Sequence, residues 1–283
     1  MLRALQTKQQ IQAILSEAGI SPKHRFGQNF MIDGNLLRLV AAAGDVRDDD
    51  LVVEIGPGTG SLTEELLSTG CRVIAVEIDH DLAAILRARL GDQSNFTLIE
   101  ADALDGKHSL NADLLSAIRS APRAKLVANL PYQIASPLVI DLLIAGVDLL
   151  AFTVQREVAW RLRATAGDDS YGPLSVMANL LADVHILRTL PPQAFWPAPK
   201  IESSLVRIDR RDRLGNKAED FSRFVHAVFS YRRKMLRKAM LEAGVREPQT
   251  DAALAAIKVD PSIRPEQLSP PRWLELFDTV RAS

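Results

Sequence analysis

Three short stretches carry residue types fit for binding chemistry, at positions where a sheet would bring them together. In "VVEIGPGTGSLTEEL", Gly56, Gly58 and Gly60 follow an apolar run and precede a helical pattern, so the backbone there can bend sharply and approach a ligand closely. The spacing is G-x-G-x-G, with Ser61 where the dinucleotide fingerprint G-x-G-x-x-G has its third glycine, which argues against NAD. P-loop spacing is absent, which argues against an NTPase. Pro57 stiffens the turn, and Glu54 just before it can pair with a ligand amine or anchor the loop. About twenty residues on, "VEID" presents Glu77, where a carboxylate at a strand end can accept both hydroxyls of a ribose. The third strand of the pattern is expected to end at Asp102, from which a carboxylate can meet an adenine amino group. A tight turn or a helix cap would explain each feature alone. Their coincidence on the carboxyl edge of one sheet argues for a nucleoside-like ligand.

The fourth stretch, "LVANLPYQIASP", sets an amide, a proline and an aromatic ring at the end of a buried strand. Pro131 cannot donate to the ladder and kinks the backbone, so the Leu130 carbonyl is presented outward. With the Asn129 side-chain oxygen, two acceptors then converge, a match for the two N–H bonds of an exocyclic amino group. Tyr132 adds a face for a base to stack on, worth about 1–3 kcal/mol per base. An Asn-x-Pro sequence is also an ordinary turn; its place at the end of strand four of a glycine-loop fold makes the difference.

Strands must position these groups, and the sequence supplies them. "LVVEIG", "RVIAVEID", "FTLIEAD", "KLVANL" and "LLAFTVQ" alternate with helical patterns such as "SLTEELLSTG" and "DLAAILRARLG", which predicts an α/β fold with a mostly parallel sheet covered on both faces. "VHILRTLP" and "SSLVRIDR" add strands at the far edge, as an antiparallel hairpin, for about seven in all. From Arg207 to Asp220 the chain is charged, carries Gly215 and Asn216 and lacks apolar periodicity, so it reads as a linker. The boundary placed there gives a first domain of residues 1–209 and an all-helical second domain of residues 218–283.

The bulk numbers exclude more than they assign. A chain of 283 residues, 47% hydrophobic, can bury a full core, and a net charge of -1 gives no bulk attraction to nucleic acid or membrane. One cysteine, Cys71, cannot form an internal disulfide, and five histidines lie scattered without metal-ligand spacing, so no metal is expected and a reducing, cytoplasmic setting fits. There Asn95 of "NFT" would go unglycosylated. "MLRALQTKQQIQAILSEAGI" reads as an amphipathic helix, not a secretory signal, and Asp141 and Asp148 interrupt the longest apolar stretch, so no membrane span is expected.

"HRFGQNFM", "VEIGPGTGSLT", "VEID", "ADAL", "NLPYQIASP", "QREVAWRL", "YGPLSVM", "PPQAFWPAPKIESS" and "YRRKMLRKA" follow one another nearly end to end. In this order they resemble the ribosomal RNA adenine N6-methyltransferases, most closely the KsgA/RsmA type that dimethylates adenosines of small-subunit (16S) ribosomal RNA. The resemblance implies a Rossmann-like class I methyltransferase domain followed by a small helical RNA-binding domain. It implies S-adenosyl-L-methionine as cofactor, contacted by Asn29, Met31, Gly56, Gly58, Glu77, Asp102 and Asn129. The usual residue at Met31 is leucine, a swap that conserves volume and polarity. It also implies that Phe195 faces Tyr132 across the target base, the alternative being a packed loop aromatic.

RNA contact is expected from two basic patches. Lys23, His24 and Arg25 precede Asn29, and Arg233, Lys234, Arg237 and Lys238 share a helical face by i, i+4 spacing beside Arg232. Each could equally be a solvated face. The expected partner is small-subunit RNA within a 30S assembly intermediate, met by a monomer, since no helix shows a spare apolar face. Rival readings are a large-subunit ribosomal RNA adenine methyltransferase, a DNA adenine methyltransferase, a noncatalytic RNA-binding assembly factor on the same fold, and an NAD-dependent dehydrogenase. "YGPLSVM" and "YRRKMLRKA" favour the small-subunit type, and no cofactor residue is lost as a noncatalytic protein would allow.

Overall fold

A computed structural model describes residues 6–106 and 109–282, with the His24 side chain outside the description. The first five residues of the expected N-terminal helix, and His108, also lie outside the described residues. By its contacts the chain divides into two compact units, one made of residues up to Ala159 together with His185–Arg210, the other of Trp160–Val184 together with the residues from Arg211 onward.

The first unit is built on a seven-stranded sheet in the order β4-β3-β2-β5-β6-β9-β7. Strands β2 (Leu51–Ile55), β3 (Arg72–Glu77), β4 (Phe96–Glu100), β5 (Ala124–Asn129) and β6 (Leu149–Gln155) run parallel, and β9 (Ser203–Arg210) pairs antiparallel with β6. β7 (Ala182–Leu190) forms the edge, so the two late runs add to the far side with β9 inside. Helices α2 (Gly34–Ala43), α3 (Ser61–Leu67), α4 (His80–Leu90), α5 (Ala112–Ser120), α6 (Ala135–Ala145) and α7 (Arg156–Arg163) follow or connect the strands, and α1 (Lys8–Glu17) precedes them. β2 is buried at every position, as a parallel strand covered on both faces must be. Its side chains and those of β3, β5 and β6 pack against Leu36, Leu37, Val40, Leu62 and Leu66 of α2 and α3.

Topology fixes where a ligand can sit. From β2 the chain winds outward through β3 and β4, then returns to place β5 on the opposite side of β2. The crevice between the carboxyl ends of β2 and β5 is the switch point at which open α/β sheets bind ligands. A two-stranded ribbon, β1 (Phe30–Met31) with β8 (Phe195–Trp196), belongs to the same unit.

In the second unit, α8 (Pro173–Leu181), α9 (Ala218–Phe229), α10 (Leu236–Glu242), α11 (Glu247–Ala256) and α12 (Pro270–Ala282) surround an aromatic core. There Phe221 meets Phe277 edge-on at 5.4 Å and Phe229 stacks on Trp273 at 5.2 Å. α8 is buried on nearly all sides and packs against α9 and α12. The Tyr171 hydroxyl donates to the Leu268 carbonyl at 2.8 Å, fastening this segment to the far end of the unit. Residues 160–184 therefore group with the C-terminal helices, where the sequence reading had them in the first domain.

The expected linker is also shorter than its charge suggested. Arg207–Arg210 is the end of β9, where Val206 and Ile208 are buried and the Arg207 guanidinium forks onto Asp209 at 2.8–3.2 Å. A charged pair two residues apart shares one face of a strand and leaves the other face apolar. Among the described residues no helix is long and apolar enough to cross a membrane.

Candidate active site

At the switch point the glycine loop takes a path that side chains would obstruct. Gly56, Gly58 and Gly60 have φ of +68°, +63° and +87°, the left-handed region. A Cβ at Gly56 would stand 3.0 Å from the Pro131 ring, and one at Gly58 2.9 Å from the Phe30 ring. Missing side chains thus let the loop, the Asn129–Tyr132 turn and the segment entering β1 close around one cavity of about 330 Å³. Arg25, Asn29, Met31, Gly56, Gly58, Glu77, Asp102, Asn129, Leu130, Pro131 and Tyr132 all line it.

Two carboxylates lie under the loop. Glu77, 4% exposed at the end of β3, accepts from the Asp79 N–H at 2.9 Å and the Gly58 N–H at 3.3 Å. Burial pushes its carboxyl up to about 7, against the pull of those two N–H groups. Glu54, at the end of β2, accepts from the Thr63 hydroxyl at 2.7 Å. Of its two expected roles the visible one is the anchor, since Thr63 stands in the first turn of α3. Burial, with the nearby Glu77 charge, raises Glu54 to about 8. Asp102 lies two residues beyond the end of β4, not within it, and is exposed, with one oxygen accepting from the Leu104 N–H at 3.0 Å.

The Asn129 side chain is held at both ends. Its Nδ2 donates to the Asn29 carbonyl at 2.7 Å, and its Oδ1 accepts from the Thr153 hydroxyl. The Tyr132 hydroxyl is hydrogen-bonded to the Ser203 hydroxyl at 2.6 Å, and burial raises the phenol above its ordinary range. Neither Thr153 nor Ser203 was singled out in the sequence, where both read as ordinary strand residues. The parallel register pairs Asn129 with Thr153, so strand pairing is the signal that finds it.

Other expected residues are placed elsewhere. Phe195 does not line the cavity: it is 2% exposed and packs in the core with Met31, Leu36 and Leu37. Register explains this, because Phe195 pairs with Met31 and strand alternation turns Trp196 to the opposite face, where it stacks with Phe30 at 6.3 Å. The packed-aromatic alternative describes Phe195. Lys23 is not free for phosphate, since its ammonium bridges Asp79 and Asp81 at 2.6 Å each. With Gln28, which donates to Asp79 at 2.8 Å, it ties the N-terminal segment to the start of α4. Arg25 is exposed and lies over the Phe26 ring at 4.6 Å.

In the second unit the expected cationic helix face is not formed. α9 ends at Phe229 and α10 begins at Leu236, so Arg232, Arg233 and Lys234 sit in the intervening turn. Met235 is extended at ψ 148°, which delivers Leu236 into the core and its N–H to the Ile263 carbonyl. Arg237 is committed to Asp251 and Glu247 at 2.6 Å each, and Lys234 to Glu242. Arg232, Arg233 and Lys238 are exposed.

The comparisons with known proteins bear on all of these segments at once. The model of the ribosomal RNA adenine dimethylase family matches residues 20–281. A ribosomal RNA small subunit methyltransferase A from Anaeromyxobacter dehalogenans is 41% identical over 273 residues, covering 93% of this chain and 95% of its own. A probable ribosomal RNA small subunit methyltransferase A from Methanopyrus kandleri is 37% identical over 276 residues, 95% of each chain. Among solved structures, the 23S rRNA methyltransferase ErmE is 27% identical with a TM-score of 0.62, over 89% of this chain and all of its own. A dimethyladenosine transferase from Plasmodium falciparum, 22% identical, shares the fold at a TM-score of 0.69 over 89% and 98% of the two chains. A match that runs unbroken from the segment before Asn29 through the glycine loop and the Asn129 turn to the last helix has one reading: the chain belongs to the ribosomal RNA adenine dimethylase family.

Proposed function

We propose that this enzyme transfers methyl groups from S-adenosyl-L-methionine to N6 of adenosines in small-subunit ribosomal RNA, dimethylating two adjacent adenosines near the 3′ end during subunit biogenesis. The observation that carries the reading is the fixed Asn129 amide at the wall of the cavity, followed in the chain by the Leu130 carbonyl and the Tyr132 ring.

The cavity suits the cofactor in size and chemistry. Its volume of about 330 Å³ is within the range of small-molecule sites, roughly 300–1,000 Å³. Glu77 would accept from the ribose hydroxyls and Asp102 from the adenine amino group, with Gly56, Gly58, Asn29 and Met31 closing the walls. When bound, S-adenosylmethionine supplies an electrophilic methyl group. The protein's part is then alignment and exclusion of water, which can supply roughly 7–11 kcal/mol. Asn129 Oδ1 and the Leu130 carbonyl would take the two N–H bonds of the target amine, holding its lone pair toward the methyl, while Tyr132 stacks on the base. The proton released from N6 on attack is acidic enough to pass to water, so no strong base is required. The target adenine must be unstacked, at a cost of a few kcal/mol.

Of the cations expected to contact RNA, Arg25 on the cavity lining and Arg232, Arg233 and Lys238 in the helical unit remain exposed for phosphates. The enzyme would act as a cytoplasmic monomer, those cations docking the helical unit on the phosphates of a folded 30S assembly intermediate. The substrate is tested by offering labelled cofactor with small subunits lacking adenine dimethylation, large subunits, and DNA. Label in small-subunit RNA alone is the expected result; label in large-subunit RNA or DNA instead overturns the assignment.

A further inference from the structure

We propose that Thr153 is a positioning residue for methyl transfer, its buried hydroxyl fixing, through Asn129, the acceptor that receives the substrate amino group. The inference rests on the reading of Asn129 as that acceptor.

Thr153 lies in β6 between Phe152 and Val154, all three with no exposed surface. Valine would fill this place with the same shape and strand preference and without a polar group to bury. The hydroxyl is instead aimed at Asn129, its register partner on the neighbouring strand, and donates to Oδ1. The other end of the amide donates to the Asn29 carbonyl at 2.7 Å. A carbonyl can only accept, so the nitrogen must face Asn29 and the oxygen must face Thr153. One anchor would leave the amide swinging about its Cβ–Cγ bond. Two opposed anchors leave it none.

The second consequence concerns lone pairs. A side-chain carbonyl oxygen has two, and the Thr153 hydroxyl occupies one, so Oδ1 can accept a single bond from the substrate. The other N–H of an unmethylated amine then goes to the Leu130 carbonyl, and the two acceptors match the two hydrogens. A first methyl group removes one of these N–H bonds, so the second transfer depends on a single retained bond and on how rigidly its acceptor is held.

The test compares Thr153→Val, Thr153→Ser and Asn129→Ala on undermethylated small subunits. Three further measurements are the melting temperature, cofactor Kd by calorimetry, and the NMR signals of the Asn129 side-chain amide. The expected result is a kcat lowered about ten- to hundredfold in Thr153→Val, with Thr153→Ser within about threefold of the parent. Melting temperature and cofactor Kd stay unchanged, and the Asn129 amide signals broaden or shift. Should Thr153→Val not fold, Thr153→Cys, a weak donor of similar size, carries the same comparison. A parental rate in Thr153→Val beside an inactive Asn129→Ala overturns the inference, as does a Thr153→Ser as impaired as Thr153→Val. Full activity of Asn129→Ala overturns the reading on which it rests.

Discussion

Glu77 and Glu54 are the side chains whose ionisation reports on the cavity. With Glu77 raised to about 7, its carboxyl is half neutral at neutral pH, whereas a ribose diol donating two O–H groups favours the anion. Cofactor affinity is therefore predicted to be flat above that value and to fall about tenfold per pH unit below it, because binding must first release a proton. Titration calorimetry from pH 5.5 to 8.5 checks this, and a flat profile would remove Glu77 from the ribose role. Glu54 acts on stability instead. Its folded value of about 8 lies above the ordinary 4.5, so the folded state keeps a proton that the unfolded chain has lost. Its contribution is full below pH 4.5 and declines as pH rises toward 8. Glu54→Gln, which can still accept from Thr63, is predicted to flatten that decline, raising stability at pH 8 by on the order of a few kcal/mol relative to the parent. Urea unfolding of both proteins at pH 5 and pH 8 measures it.

At the scale of elements, the loop between β2 and α3 is the least replaceable piece. Gly58→Ala would meet both the left-handed backbone and the Phe30 ring at 2.9 Å, and is predicted to cost about 1–3 kcal/mol of stability and most cofactor binding. Thermal melts with and without cofactor check the two losses separately. Much of this element was legible from glycines between an apolar run and a helical pattern, because a parallel strand, its turn and its helix are local in sequence. What depends on pairing was not. Thr153 is visible only once β6 lies beside β5, and the burial of Phe195 only once β8 pairs with β1. Likewise, i, i+4 spacing grouped Arg233 with Arg237, but burying Leu236 breaks the helix between them. The strand pattern of "SSLVRIDR" was legible as β9, but the charges of Arg207, Asp209 and Arg210 started the expected linker four residues inside it.

For the whole molecule, composition gives no hint of an RNA partner, since a net charge of -1 averages over both units. The cations that matter are those left unspent. Replacing Arg232, Arg233 and Lys238 together by alanine is predicted to weaken small-subunit binding and to flatten its salt dependence, each lost phosphate contact lowering the slope by about 0.7–0.9. Arg237→Ala is predicted to change RNA affinity little, because its guanidinium is already paired with Asp251 and Glu247. Filter binding across salt concentrations separates the two. The central claim, that Asn129 presents an adenine N6 to the transferred methyl group, is met most directly by mass spectrometry of nucleosides from undermethylated small subunits treated with parent or Asn129→Ala enzyme. N6,N6-dimethyladenosine is predicted with the parent and absent with the variant, while both bind cofactor. Dimethyladenosine made equally by both, or a methylated nucleoside other than adenosine, would contradict the account.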